Sequence, residues 1–346
     1  MQLYTFNPLL DGRWEQFVAS HPRASVFHRT GWLEALARTY RYRPLVVTTT
    51  PPDKPLEDGL PFCEVRSWIT GSRLVSLPFA DHAEPLLAGS GKPFELEDWM
   101  RAQCREHKWR YIELRPLPSE TCGAFLPAIS QYFWFHTLDL SPSLEQIFRG
   151  FHKSCIQRRI RHAEHQQLTY EQGCSRQLVD DFYRLLTITR RRHRLLPQPR
   201  SWFLNLTACL PSSANIRLLR RGGLPIAAIL TARHRSTVVY KYGCSDESYH
   251  SIGAMPLLFW KMIEESRSEG VEQIDFGRTD MDNHGLAEFK DRLGATRRRL
   301  AYFRYPSAAA HRSPLPSETS AARTLLSALP GALSSTMGRM VYRHMG

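Results

Sequence analysis

The sequence contains no C-x-x-C pair, no G-x-S-x-G motif and no apolar run near the ~18 residues that a bilayer-spanning helix needs. Each absence removes a class of protein. Its seven cysteines (63, 104, 122, 155, 174, 209 and 244) are scattered, so neither a disulfide framework nor a cysteine-based zinc site is expected. His162 and His165 stand close together with no third ligand in sight, and no metal is expected. Without the nucleophile elbow, a serine-hydrolase mechanism has no starting point. Met1–Leu10 lacks the basic start and apolar run of a secretory signal, so the expected compartment is the cytoplasm. Negative charge is also scarce: 33 Asp and Glu face 46 Lys and Arg, a formal charge of +13. That imbalance favours an anionic partner, be it cofactor phosphates, nucleic acid or an acidic membrane surface. The plainer reading is a basic soluble protein with scattered arginines.

What is present is patterning. At 346 residues the chain exceeds one typical domain of ~100–200, and its second half is the more legible. Trp134–Leu140 alternates as a strand, after which Ser143 caps a helix through Leu144, Ile147, Phe148 and Phe151 toward Ile160. A second helix covers Gln177–Arg194 and is broken by Leu195–Arg200. Ile216–Arg220, the turn Arg221-Gly222-Gly223 and Leu224–Ala232 read as a hairpin, with Thr237–Gly243 as a third strand. Met255, Leu258, Phe259, Met262 and Ile263 form a complete helical stripe. A strand at Val271–Phe276, a helix through Leu286, Phe289 and Leu293 stopped by Gly294, and a strand at Leu300–Tyr305 follow. This element order is that of an acetyltransferase-type domain, where the strand and helix after the hairpin normally form the acyl-donor site.

The first half repeats the order more weakly. Strands are expected at Leu3–Phe6, Leu45–Thr50, Leu60–Val65, Arg73–Leu77 and Arg110–Leu114, with helices near Arg13–Ser20, Gly31–Tyr40 and Phe94–Glu106. The expected fold is α/β (α+β): two tandem acetyltransferase-like domains with mixed sheets, 1–133 and 134–306, then a tail over 307–346. Ser307–Ser320 is rich in Ala, Ser and Pro and reads as a linker. Ala321–Met345 places Arg323, Arg339, Arg343 and His344 beside Leu325, Leu326, Leu329, Leu333, Met337, Met340 and Val341, with a break at Pro330-Gly331. Such a basic amphipathic tail (321–346) either lies on a membrane surface or docks on the protein's own body.

Chemistry-bearing residues gather at Ile274–Arg278 and Gly285–Gly294. Asp275 is expected at a strand end, where open α/β sheets hold ligand contacts. Lys290 is expected on the exposed side of a helix whose other side carries Leu286, Phe289 and Leu293; a solvated lysine is the plainer reading. Asp275-Phe276-Gly277 also spells a kinase metal motif, but no Gly-rich loop or H-R-D accompanies it. The run FGRTDMDNHGLAEFKDRLGA resembles the C-terminal signature of the Fem-type, peptidoglycan-bridge transferases. FYRLLTITRRRHRLLPQP (Phe182–Pro199), VVYKYGCSD (Val238–Asp246) and SVFHRTGWLEAL (Ser25–Leu36) are also similar to that family, so the match spans nearly all of 1–306. The resemblance implies tandem GNAT-like folds and transfer of an acyl or aminoacyl group onto an amine. It also makes Lys290 the candidate for the family's substrate-contacting lysine. In a positioned-reactant mechanism Lys290 would hold an anionic substrate group or stabilise the tetrahedral intermediate, with Asp275 as orienter or base and Arg278 as a substrate contact.

One departure bears on the donor. Acetyltransferases that use coenzyme A carry R/Q-x-x-G-x-G/A where the third strand meets the long helix, and bind pyrophosphate there. Here Tyr249–Ala254 (YHSIGA) keeps only Gly253-Ala254, leaving Ser251, Gly253 and Ala254 as candidate anion contacts. Two basic runs remain: Lys153, Arg158, Arg159 and Arg161, and Arg190, Arg191, Arg192, His193 and Arg194. The second complements a helix dipole, or both runs, with Arg192 and His193 in the second, grip a phosphate or tRNA backbone. Few aromatics interleave, so base stacking is not suggested. Tyr240 and Tyr242 are expected on one strand face, lining the donor cleft or simply packed. Aminolysis needs an uncharged amine, a path for its proton and donors for the oxyanion, but no covalent nucleophile. What the resemblance implies is acyl or aminoacyl transfer to an amine of an envelope precursor or exopolysaccharide component; composition adds only the basic character. The donor (aminoacyl-tRNA, acyl-coenzyme A or acyl carrier protein) enters as co-substrate, not as a resident cofactor. The alternatives are a coenzyme A- or carrier-protein-dependent N-acyltransferase acting on an amino sugar or small amine, and a non-catalytic binding module.

Overall fold

The computed structural model describes residues 2–87, 96–117, 127–306, 338 and 340–345. In chain order they form β1 (Tyr4–Phe6), α1 (Arg13–Ser20), α2 (Thr30–Tyr40), β2 (Arg43–Thr48), β3 (Leu60–Val65), β4 (Arg73–Val75), α3 (Leu96–His107) and β5 (Ile112–Leu114). Next come β6 (Ala128–Asp139), α4 (Leu144–Gly150), α5 (Arg158–Glu164), β7 (Thr169–Gly173), α6 (Arg176–Arg192) and α7 (Arg200–Cys209). The chain continues through β8 (Ala214–Arg221), β9 (Leu224–His234), β10 (Thr237–Ser245), α8 (Ala254–Ser268), β11 (Gln273–Asp280), α9 (His284–Arg292) and β12 (Thr296–Tyr305). These elements divide into two compact units, one within Met1–Phe133, Arg299–Arg312 and Met340–Gly346, the other within Trp134–Arg298 and Ser313–Arg339.

In the first unit the strand order is β1-β2-β3-β4-β5-β12. Neighbours run antiparallel except for the parallel pair β4/β5. Phe62, Leu74, Met100, Ile112 and Leu114 form its core. The sequence reading put residues 300–305 in the second domain. Instead Phe303, Arg304 and Tyr305 pair with Leu114, Glu113 and Ile112, and Arg304 Nε donates to the buried Glu113 at 2.7 Å. The chain's last described residues also dock on this unit. Tyr42 donates its hydroxyl to the Tyr342 carbonyl at 2.9 Å, and Arg73 Nη2 donates to the His344 carbonyl at 2.7 Å. Of the tail expected on a membrane surface or on the protein itself, 340–345 contacts this unit through the Tyr342 and His344 carbonyls; 307–337 and Arg339 lie outside the described residues.

The second unit has the order β6-β11-β10-β9-β8-β7, with β10/β11 parallel and β7 through β10 antiparallel. The β8–β9 turn uses Gly222 and Gly223, both at positive φ (55° and 79°), as a tight right-twisting hairpin requires. α4 opens with a full capping box: Ser143 Oγ accepts from Gln146 N–H, and Gln146 Oε1 from Ser143 N–H. The single helix expected from Ser143 to Ile160 is broken, because Phe151 turns extended and His152 caps a separate π-helical turn over Lys153–Gln157. β7 and α7 have no counterpart in the sequence reading. β7 is a polar strand without apolar alternation, and α7 starts directly behind the Pro197–Pro199 breaker.

Candidate active site

The site is set by where β10 and β11 stop pairing. Thr237, Val238 and Val239 pair with Gln273, Ile274 and Asp275, and no further pairing of these two strands is present among the described residues. Both strands deform immediately beyond the last pair. β10 carries a bulge between Tyr240 and Tyr242. In β11 the Asp275 carboxylate accepts the Gly277 N–H at 2.6 Å, and Gly277 adopts φ +69°, a left-handed conformation natural to glycine. Parallel strands that stop pairing in this way leave their C-terminal halves free to diverge, at the end of the sheet where α/β folds hold ligands.

The bulge reverses one expectation. Tyr240 and Tyr242 point to opposite faces, because the extra residue, Lys241, shifts the strand's alternation by one. Tyr240 packs edge-on against Phe259 of α8 and Phe276 of β11, and a side chain on Gly243 would overlap its hydroxyl. Desolvation keeps that phenol protonated, its pKa pushed up. Tyr242 faces α7 instead: its hydroxyl accepts from Trp202 Nε1 at 2.9 Å, with Gln198 Nε2 at 3.4 Å.

Lys290 is not exposed. Its side chain is 2% accessible, and its ammonium donates to the carbonyls of Gly277 and Arg278 (both 3.2 Å) and to Thr279 Oγ1 (2.8 Å). The buried face of α9 is Ala287, Lys290 and Leu293, while Leu286 and Phe289 are only half-buried. A 3-3 spacing serves helix packing as well as the 3-4 spacing read from the sequence, and three oxygen acceptors on β11 give the ammonium a place inside. The structure thus gathers Asp275, Arg278 and Lys290 around Gly277, with Asp275 within β11 rather than at its end. Gly277 and Thr279 complete the group and were missed.

Beside it lies a residue with no sequence signal, His136 of β6. It is fully buried, 3.3 Å from Asp291 Oδ1 but outside hydrogen-bond geometry, so neither ring nitrogen has a hydrogen-bond partner among the described residues. Burial, together with the positive charge of Lys290, holds its pKa down to about 4. A folded-state pKa below the ordinary 6.5 means that the unfolded chain binds the proton more readily. The associated stability is complete above pH ~6.5 and is lost as pH falls toward ~4. At ~1.4 kcal/mol per pKa unit this is on the order of 3 kcal/mol. Urea titrations of His136→Phe and wild type across that window should show the variant losing less stability on acidification. Parallel curves would remove His136 as the cause.

The second group of residues lies at the start of α8. Arg192, from the end of α6, places Nη1 3.2 Å from His250 Nε2, which also lies 2.9 Å from Ser245 Oγ; Arg159 Nη1 donates to the His250 carbonyl at 3.1 Å. Desolvation and the Arg192 charge lower the pKa of both His250 and His193. Among the described residues, Lys153, Arg158, Arg159, Arg161, Arg190, Arg191 and Arg192 have no carboxylate ion-pair partner, whereas Arg200, Arg217, Arg220 and Arg233 of the same unit do. Gly253 also has a packing role. It is buried under α5, and a Cβ there would stand 2.6 Å from the Arg159 carbonyl oxygen. The Cβ direction is filled by the Arg159 backbone, Gly253 and Ala254 are buried, and of that trio only Ser251 is exposed.

Residues 151–291 match the family described as Acetyltransferase (GNAT) domain, which gives the second unit its class. Among solved structures, FemX is similar over 88% of this chain and 97% of its own, with a TM-score of 0.69 at 15% identity. The C-terminal domain of a putative lysylphosphatidylglycerol synthetase from Agrobacterium fabrum is similar over 86% of this chain and 91% of its own (TM-score 0.56, 13% identity). A tandem GNAT protein from the clavulanic acid biosynthesis pathway is similar over 89% of this chain and all of its own (TM-score 0.55, 11% identity). The chain therefore has a tandem GNAT-like fold similar to that of FemX. No curated protein matches the sequence.

Proposed function

We propose that this protein transfers an acyl or aminoacyl group to an amine of a cell-envelope precursor or exopolysaccharide component, with the donor seated between β10 and β11. The observation that carries the reading is the parting of those strands after Val239 and Asp275 within the matched GNAT domain. In such a cleft the donor carbonyl meets the acceptor amine by positioning, which can lower the barrier of an aminolysis substantially without a covalent nucleophile. Arg159 and Arg192 are placed to meet the phosphates of a donor, since among the described residues they have no carboxylate ion-pair partner and both reach His250. In this reading Lys290 and Asp275 act through β11: they hold its kink and so the width of the cleft.

The donor is open between aminoacyl-tRNA and a phosphopantetheine thioester, on coenzyme A or an acyl carrier protein. Tyr249 and Ile252, standing where the basic or Gln residue and the first glycine of the usual cradle belong, weigh against coenzyme A bound in that way. Incubating purified protein with each donor and a pool of amine acceptors, read by mass spectrometry, tests the proposal. Amide formation with aminoacyl-tRNA or acyl carrier protein is the expected result. Turnover with coenzyme A alone would reverse the donor order, and binding without turnover would leave a non-catalytic module.

A further inference from the structure

The loop joining β3 to β4 presents an unusual side chain. Of the eight tryptophans, Trp14, Trp32 and Trp202 are fully buried, Trp109 and Trp260 are buried, and Trp99 and Trp134 are half-buried; Trp68 is 88% exposed. Ile69 beside it is 49% exposed and Met340, one helical turn before His344, is 66% exposed. Leaving a Trp and an Ile side by side in water is costly unless something covers them.

The tip is built, not loose. Ser67 Oγ accepts the N–H groups of Ile69 (3.2 Å) and Thr70 (2.9 Å), and His344 Nδ1 lies 2.9 Å from the same oxygen. The His344 ring stands edge-on to Trp68 at 5.8 Å. Arg110 lies along Gly71 and donates to the Thr70 carbonyl at 3.0 Å. The chain's C-terminal turn thus braces the loop from one side and Arg110 from the other.

The charge around the tip has one sign. The contributing segments 65–73, 108–111 and 338–345 contain no Asp or Glu. Arg66, Arg110 and Arg343 are exposed beside the apolar tip, and Glu64, which pairs with Arg66 at 3.0 Å, is buried. We propose that Trp68, Ile69 and Met340 form an interfacial anchor that seats the first unit on an anionic lipid bilayer. An indole is suited to the headgroup level, with its ring toward the acyl chains and its N–H in the wet layer, while arginines around it meet lipid phosphates. A projecting apolar pair ringed by cations suits a deformable, negatively charged surface. It does not supply the roughly 800 Å² of flat, close-packed area per partner that a stable protein interface uses, nor the row of aromatics on which successive bases stack.

Full-length protein should co-sediment with phosphatidylglycerol-containing vesicles at low salt, and much less with pure phosphatidylcholine. Trp68→Ser with Ile69→Ser should cut partitioning at least ~tenfold, and each of Arg66→Gln, Arg110→Gln and Arg343→Gln about fivefold. Brominated acyl chains should quench a component of the tryptophan emission that Trp68→Phe lacks. Because Trp68 and Ile69 are exposed, melting temperatures should be unchanged, which keeps the comparison free of folding effects. The proposal is overturned if the wild type does not bind acidic vesicles, or if the tip variants bind as well as it does. It is equally overturned if Trp68→Ser instead dissolves a dimer or abolishes RNA retention. None of these readouts depends on the transferase reading.

Discussion

Lys290→Met is expected to lose both turnover and stability, by about 2–4 kcal/mol in urea unfolding. The magnitude follows from what the ammonium does. It donates to two backbone carbonyls and one hydroxyl in a place closed to water. Hydrogen bonds to a charged group contribute ~1.5–3 kcal/mol each, and a buried acceptor left unmade costs ~1–3 kcal/mol. The Met chain refills most of the volume, so a cavity contributes little. Turnover should fall because the kink at Gly277 relaxes when its carbonyl is released, and the cleft loses its width. A lysine that merely touched substrate would behave otherwise: the variant would melt like wild type and be inactive. That pattern would return Lys290 to the role implied by the family resemblance. A positioning role predicts that kcat and KM both change at temperatures where the variant is folded.

The strands and helices of the first unit were legible because each carries its own signal. Trp32, Leu33 and Leu36 of α2 share a helix face, and Cys63 and Phe62 sit in a short run bounded by turns. What could not be read was partnership. Nothing local tells residues 300–305 to pair with β5, since a strand's sequence specifies its faces and not its neighbours. The same limit applies at the site. The positions of Asp275, Arg278 and Lys290 were visible as a motif, but the burial of Lys290 depends on acceptors a full turn-and-strand away, at Gly277, Arg278 and Thr279. The opposed tyrosines depend on a bulge, which the run VVYKYG does not announce. His136 has no signal at all: a single histidine in an alternating strand looks the same whether it meets water or Asp291.

Gly253→Ala is expected to be as damaging as Lys290→Met, for a reason that separates two meanings of one glycine. If Gly253 is the remnant of a phosphate cradle, it is there to let an anion approach the backbone. Adding a methyl group would then raise the donor KM and leave the empty protein nearly as stable as before. The geometry supports a different meaning. Gly253 sits at φ +85°, and the space a methyl would need is held by the Arg159 carbonyl oxygen at 2.6 Å, with the carbonyl carbon at 3.1 Å. A left-handed conformation costs a non-glycine residue ~1–2 kcal/mol. Moving backbone is harder than moving a side-chain tip, and here α5 must shift off the first turn of α8 to make room. Overpacking of this kind typically adds ~1–3 kcal/mol. The expected sum is about 3 kcal/mol in chemical unfolding of the donor-free protein. Arg159 would be carried away from His250 at the same time, so any donor phosphate contact at that corner should weaken with it. Unfolding curves of variant and wild type that superimpose without donor, together with a raised donor KM, would assign Gly253 to the cradle and restore the glycine-based anion site.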